Sequence, residues 1–185
     1  MPTRSRVVLV LHQSEARKSS NTGRLAVRCL PNSLVVAHGR LPDSAGEGRL
    51  LVTGPPYPWQ DGQGAPVLLF PDENARPIEE WRASHEAVTL IALDGTWAQA
   101  ARARRRLPGL LDLASASVPT GPPLHRIRDD PRPGRLGTLE ALGRALGVLE
   151  GGHVQAQLEA ILAKAAQRLR HGRLGQTPGL PPQYR

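Results

Sequence analysis

The stretch LIALDGTWAQAARARRRLPGL, residues 90–110, carries an apolar run directly into Asp-Gly-Thr-Trp and then into an arginine-loaded helical pattern. A continuously apolar run reads as a strand buried on both faces, the habit of a parallel sheet. A strand that hands over at once to a helix is half of a β-α-β unit, so this segment points to an α/β fold. Four other β-type runs share its character, at residues 7–11, 33–37, 50–53 and 66–70, and the quoted run itself extends over 87–93. Helical patterns alternate with them. Residues 21–30 begin on the cap formers Asn21 and Thr22, and 96–107 follow the fifth run directly. Leu136, Leu139, Leu142, Leu146 and Leu149 line one face of a later helix, and Val154, Leu158, Ile161, Leu162, Ala165 and Leu169 that of the last. The expected architecture is a mostly parallel sheet with helices on both faces, in a single domain over residues 1–175 with a loose tail at 176–185.

Length and composition bound the rest. A chain of 185 residues, 39% hydrophobic and 22% charged, suits one core rather than two. No apolar run approaches the roughly 18 residues of a membrane span, and the amino-terminal segment does not read as a signal peptide, so a cytoplasmic protein without a membrane partner is expected. Cys29 is the only cysteine and sits in the apolar phase of a helix, which excludes an intrachain disulfide and any zinc site of several thiolates. The six histidines show no ligand spacing, so no metal is expected. The formal charge is +8, and of 24 basic residues only Lys18 and Lys164 are lysine. Such an arginine excess favours a polyanionic partner, above all RNA.

Two stretches fit neither period: residues 54–66, which carry Tyr57 and Trp59 among prolines and glycines, and residues 119–137, rich in arginine and proline. Irregular stretches of that length tend to be functional or disordered. Asp94 stands at the carboxyl end of a central run, the sheet edge where open α/β folds bind ligands. It has two readings: a cap for the helix that begins near Thr96, or a ligand and catalytic group. Trp97 shares a helical face with Ala100, Ala101 and Leu107, as does Arg104, which needs an inward carboxylate partner; Arg102, Arg105 and Arg106 project the other way. His12, Glu15, Lys18 and Asn21 recur every three residues after the first run, either as a solvated turn or as a second polar loop at the same edge. Thr138 reads as a helix cap with Glu140 in the first turn. Dinucleotide, Walker and nucleophile-elbow motifs are absent, which disfavours hydride transfer, ATP-loop chemistry and serine hydrolysis.

Four segments in order, HQSEARKSSNTGRL, LLFPDENARP, LIALDGTWAQA and LHRIRDDPRPGRLGTLEAL, resemble the DTW domain of the tRNA-uridine aminocarboxypropyltransferases, with Asp94, Thr96 and Trp97 as the naming residues. The resemblance covers roughly residues 7–150. It implies transfer of the 3-amino-3-carboxypropyl group of S-adenosylmethionine to N3 of a tRNA uridine, leaving methylthioadenosine. It also implies likeness to the SPOUT methyltransferases, with a C-terminal trefoil knot as the cofactor pocket. Under it, Asp94 would be the base and Trp97 its wall. Thr22, Arg24, Phe70, Pro71, Gly95, Thr96, Leu124, Arg126, Thr138 and Glu140, with Asp94, would surround the cofactor or order its loops. Arg102, Arg105, Arg106, Arg128, Arg132 and Arg135 would attract tRNA phosphates, joined by Arg168, Arg170 and Arg173 on the last helix. Tyr57 and Trp59 either stack on an extruded base or pack. Many family members carry a cysteine-rich segment suited to zinc; with one cysteine, this core is expected to fold without the metal, as a monomer or a homodimer. A SPOUT-like RNA methyltransferase and a non-catalytic RNA-binding domain are the alternatives.

Overall fold

A computed structural model describes residues 1–15, 18, 21–38, 50–51, 56–84, 86–119, 121–122 and 136–173. In chain order the elements are β1 (Arg6–His12), α1 (Thr22–Cys29), β2 (Ser33–His38), β3 (Leu50–Leu51), β4 (Ala65–Leu69), β5 (Arg76–Pro77), α2 (Glu79–Ser84), β6 (Val88–Asp94), α3 (Trp97–Arg106), β7 (Ser115–Ser117), α4 (Thr138–Glu150) and α5 (Gly152–Arg173). The seven strands form one sheet in the order β3-β2-β1-β6-β4-β7-β5, and every pairing is parallel. The five apolar runs are five of these strands. Both β5 and β7, and the short α2, were not foreseen.

Strand alternation divides the core in two. Val7 and Leu9 of β1 face Ala26 of α1, Leu139 and Leu142 of α4 and Leu158 of α5. Val8 and Val10 face Tyr57, Trp59, Ile91 and Leu110, with Leu107 at the end of α3 packed against them. Helices therefore cover both faces, as the apolar runs require. Tyr57 and Trp59 stack with ring centroids 5.4 Å apart, and Trp59, only 1% exposed, donates its indole N–H to Gly109 O at 3.2 Å. Gly109 has φ +77°, and a Cβ there would come within 2.3 Å of the Tyr57 ring. This loop plugs the second core, which corrects the base-stacking alternative. α5, with exposed Arg168 and Arg170, packs on α4, across the sheet from α3, so those arginines do not join the α3 set.

Two features of the order position the site. The connection after β1 leads to β2 on one side, whereas that after β6 leads to β7 on the other, so the topological switch lies between β1 and β6. Ligands bind at the carboxyl ends of strands at such a switch. Further along, β7 inserts between β4 and β5, and residues 70–75 must therefore bridge across it. The expected C-terminal trefoil knot is not shown, since residues 123–135, in the connection between β7 and α4, lie outside the described residues. No helix among the described residues is long and apolar enough to cross a membrane.

Candidate active site

Asp94 ends β6 opposite Leu11 of β1 and is 7% exposed. It does not cap α3. The backbone is still extended at Asp94, and the N-cap is Thr96, whose hydroxyl accepts from Gln99 N at 3.3 Å while Gln99 Oε1 accepts from Thr96 N at 2.7 Å. This reciprocal pair is a capping box. The carboxylate turns instead toward α1 and α4. Asn21 Nδ2 donates to Oδ2, and Thr138 Oγ1 donates to Oδ1 at 2.6 Å. Asn21 also caps α1, accepting from Arg24 N at 2.9 Å. Gly137, not Thr138, is the N-cap of α4; without a side chain it makes no cap bond, and Thr138 directs its hydroxyl to Asp94. Two helix N-termini thus converge on one buried carboxylate, a favourable placement for an anion. Close approach is possible because Gly23 has no side chain: a Cβ there would lie 3.0 Å from Asp94 Cγ and Oδ1.

Beside Asp94 lies a cavity of about 210 Å³ walled by Leu69, Phe70 and Pro71 after β4, by Leu93, Gly95 and Trp97 around the β6 end, by Ser117 to Pro119 after β7, and by Leu136, Thr138 and Arg144. Of the expected cofactor residues, Phe70, Pro71, Gly95 and Thr138 form its wall, together with Trp97, expected beside the base. Asp94 meets it through Thr138, whereas Thr22, Arg24, Thr96 and Glu140 do not line it. Leu124, Arg126, Arg128, Arg132 and Arg135 lie outside the described residues. The rings of Trp97 and Phe70 are tilted at 51° with centroids 6.0 Å apart. Arg104 does find an inward carboxylate: it pairs with Asp72 at 2.5 Å, donates to Ser115 Oγ and lies 5.4 Å over the Phe70 ring. Ser115 Oγ in turn donates to Asp72 at 2.8 Å. This cluster ties the bridging loop to β7 and α3.

Sequence reasoning missed Arg144. It is buried, pairs with Glu140 at 2.8 Å and donates to the carbonyls of Pro119 and Pro122, both at 2.9 Å, so it staples the cavity wall after β7. Its spacing of four from Glu140 on one helix was the available signal. A second polar cluster sits on the α3 side of the switch. His12 and His38 meet edge to face at 5.0 Å, and His12 Nδ1 lies 2.8 Å from Ser14 Oγ and 3.2 Å from Gln99 Nε2. Burial pushes the His38 imidazole down to about 4, with the neighbouring His12 adding to the effect. Glu15 is buried against Lys18 at 2.5 Å, so the three-residue spacing does build a polar loop at this edge. Arg102, Arg105 and Arg106 are exposed on α3.

Among curated proteins, the chain is 30% identical over 151 residues to tRNA-uridine aminocarboxypropyltransferase 2 of Drosophila melanogaster, an alignment covering 79% of this chain and 57% of that protein. Among solved structures, the SAM-dependent rRNA:acp-transferase Tsr3 from Vulcanisaeta distributa superposes with a TM-score of 0.49 and 14% identity, covering 92% of this chain and 84% of that one. The profile of the DTW domain matches residues 1–170, nearly the whole of the described fold, and the chain belongs to the DTW domain family.

Proposed function

We propose that this protein transfers the 3-amino-3-carboxypropyl group of S-adenosylmethionine to N3 of a uridine in tRNA. The observation that carries the reading is the apolar, aromatic-walled cavity at the topological switch, joined through Thr138 to a carboxylate held by two helix N-termini. The donor molecule supplies an electrophilic carbon beside a sulfonium, with methylthioadenosine as the leaving group. The wall suits it: the aromatic residues Trp97 and Phe70 border the cavity, and the apolar lining accepts a nucleoside face. Phe70, Pro71, Gly95, Trp97 and Thr138 would hold it, with Leu124 and Arg126 added on the family resemblance. Asp94, Thr22, Arg24, Thr96 and Glu140 would support those contacts without lining the cavity.

The protein's own work is positioning and proton removal. Both Asp94 oxygens accept hydrogen bonds, the pattern of an ionised carboxylate. The proton leaves N3 toward Asp94 by way of the Thr138 hydroxyl, whose residue lines the cavity and whose hydrogen already points to Oδ1. N3 then forms its bond to carbon as the carbon–sulfur bond breaks. Arg102, Arg105 and Arg106 on α3, with Arg128, Arg132 and Arg135, would draw in phosphates. The SPOUT-like knotted end belongs to this reading, supported by the insertion of β7 between β4 and β5. The test is to incubate the protein with unmodified bulk tRNA and S-adenosylmethionine and identify the nucleoside by-product. Methylthioadenosine is expected. S-adenosylhomocysteine would reveal a methyltransferase, and neither product a binding domain.

A further inference from the structure

The imidazole of His12 has no place in the mechanism above, yet its Nδ1 side is held by Ser14 and Gln99. His12 ends β1 one residue beyond the partner of Asp94, and a Cβ on Gly95 would lie 3.5 Å from its Cβ. Strand alternation sends Asp94 and His12 to opposite faces at the two strand ends that flank the switch. The Gln99 amide is oriented by Thr96, whose backbone N–H can only donate, so Gln99 Oε1 accepts it and Nε2 is left as donor toward His12 Nδ1 and Ser14 Oγ, at 3.2 and 2.9 Å. Ser14 N also donates to Nδ1, at 3.2 Å. Two obligate donors on Nδ1 require its lone pair, which places the hydrogen of the neutral ring on Nε2.

Burial lowers the affinity of this ring for a second proton, opposed by Glu15 and reinforced by Arg102 and Lys18, while His38 stands edge-on beside it. Among the described residues nothing accepts from Nε2. The result is a neutral N–H donor of fixed direction at the rim of the switch, one step from Gly95 in the cavity wall. A neutral donor is poorly matched to phosphate, for which arginine is better suited. It matches a carbonyl.

We propose that His12 meets the uracil ring, donating its Nε2–H to a carbonyl oxygen beside N3. The inference rests on the function proposed above. As N3 loses its proton, negative charge spreads onto the flanking carbonyls, so a donor there strengthens in the transition state and acts on kcat. Gln99 is then a positioning residue, linking the cap of α3 to the tautomer of His12.

The test uses the full chain, unmodified bulk tRNA and S-adenosylmethionine. His12→Phe is expected to lower kcat by about 10²-fold, as loss of one transition-state donor does elsewhere, with KM for tRNA and affinity for S-adenosylmethionine little changed. His12→Gln, whose amide nitrogen falls near the lost Nε2, is expected to recover part of the rate. Undiminished kcat in His12→Phe, an effect confined to KM for tRNA, or no recovery in His12→Gln overturns the assignment while leaving the transferase reading intact. Failure of the unsubstituted protein to release methylthioadenosine removes both together. Should His12→Phe not fold, the 15N-edited imidazole spectrum of the unsubstituted protein decides: the Nε2–H tautomer is expected, with its resonance shifting on addition of tRNA but not of S-adenosylmethionine alone. An Nδ1–H tautomer or an unmoved resonance overturns the proposal.

Discussion

Asp94 shows how a side chain's place can be legible while one of its two readings, the cap of α3, fails. Its position at a strand end follows from the apolar run before it, but which residue caps α3 depends on where the extended backbone stops, two residues later at Thr96. With its oxygens committed to Asn21 and Thr138, replacement Asp94→Asn can keep the Asn21 bond only by turning its amide nitrogen to Thr138, whose hydroxyl must then reverse from donor to acceptor. The expected cost is about 1–3 kcal/mol of stability, visible as a lowered Tm, together with loss of methylthioadenosine release. His38 adds a pH dependence. Its folded value, about 4 against an ordinary 6.5, means that the unfolded chain binds the proton more readily between those values. Stability from this group is complete above about pH 6.5 and declines as the pH falls toward 4. A His38→Phe variant should show a flatter fall of Tm across that window than the unsubstituted protein. The pairing of His38 with His12 was invisible in the sequence, because 26 residues separate them and only the β1–β2 register brings them level.

Among the elements, those marked by an apolar run or a helical period were legible: β1, β2, β3, β4 and β6, with α1, α3, α4 and α5. β5 and β7 were not, because two or three residues carry no alternation; Ser115–Ser117 is a strand only because the edges of β4 and β5 accept its backbone on both sides. α3 depends on its capping box, and Thr96→Ala is expected to cost about 1 kcal/mol in thermal or denaturant unfolding. The Arg104–Asp72–Ser115 cluster holds the Phe70 wall, so Arg104→Ala leaves Asp72 without its cation and frees the bridging loop. KM for S-adenosylmethionine should rise more than kcat falls, as steady-state kinetics at saturating tRNA will show.

At the scale of the whole molecule the fold class was legible and the strand order was not. Continuous apolar runs imply a parallel sheet, but nothing local states that a late three-residue strand enters between two earlier ones. The charge distribution is similarly split: the α3 arginines and those of α5 lie across the sheet from one another. Replacing Arg102, Arg105 and Arg106 with alanine should make the slope of log affinity for tRNA against log salt shallower by about two to three. Replacing Arg168 and Arg170 should change it far less. The insertion of β7 also sets an order of events in time. β5 has β7 as its sheet partner, so residues 70–75 must span an open gap until residues 115–117 fill it, a contact of long sequence separation that is slow to form. The cavity wall then waits further, for Arg144 to fasten the stretch after β7. A ribosome-bound chain that has emerged only as far as α3 therefore presents Asp94 and Trp97 with no chamber around them, and a closed chamber becomes a signal that synthesis and folding have both passed α4.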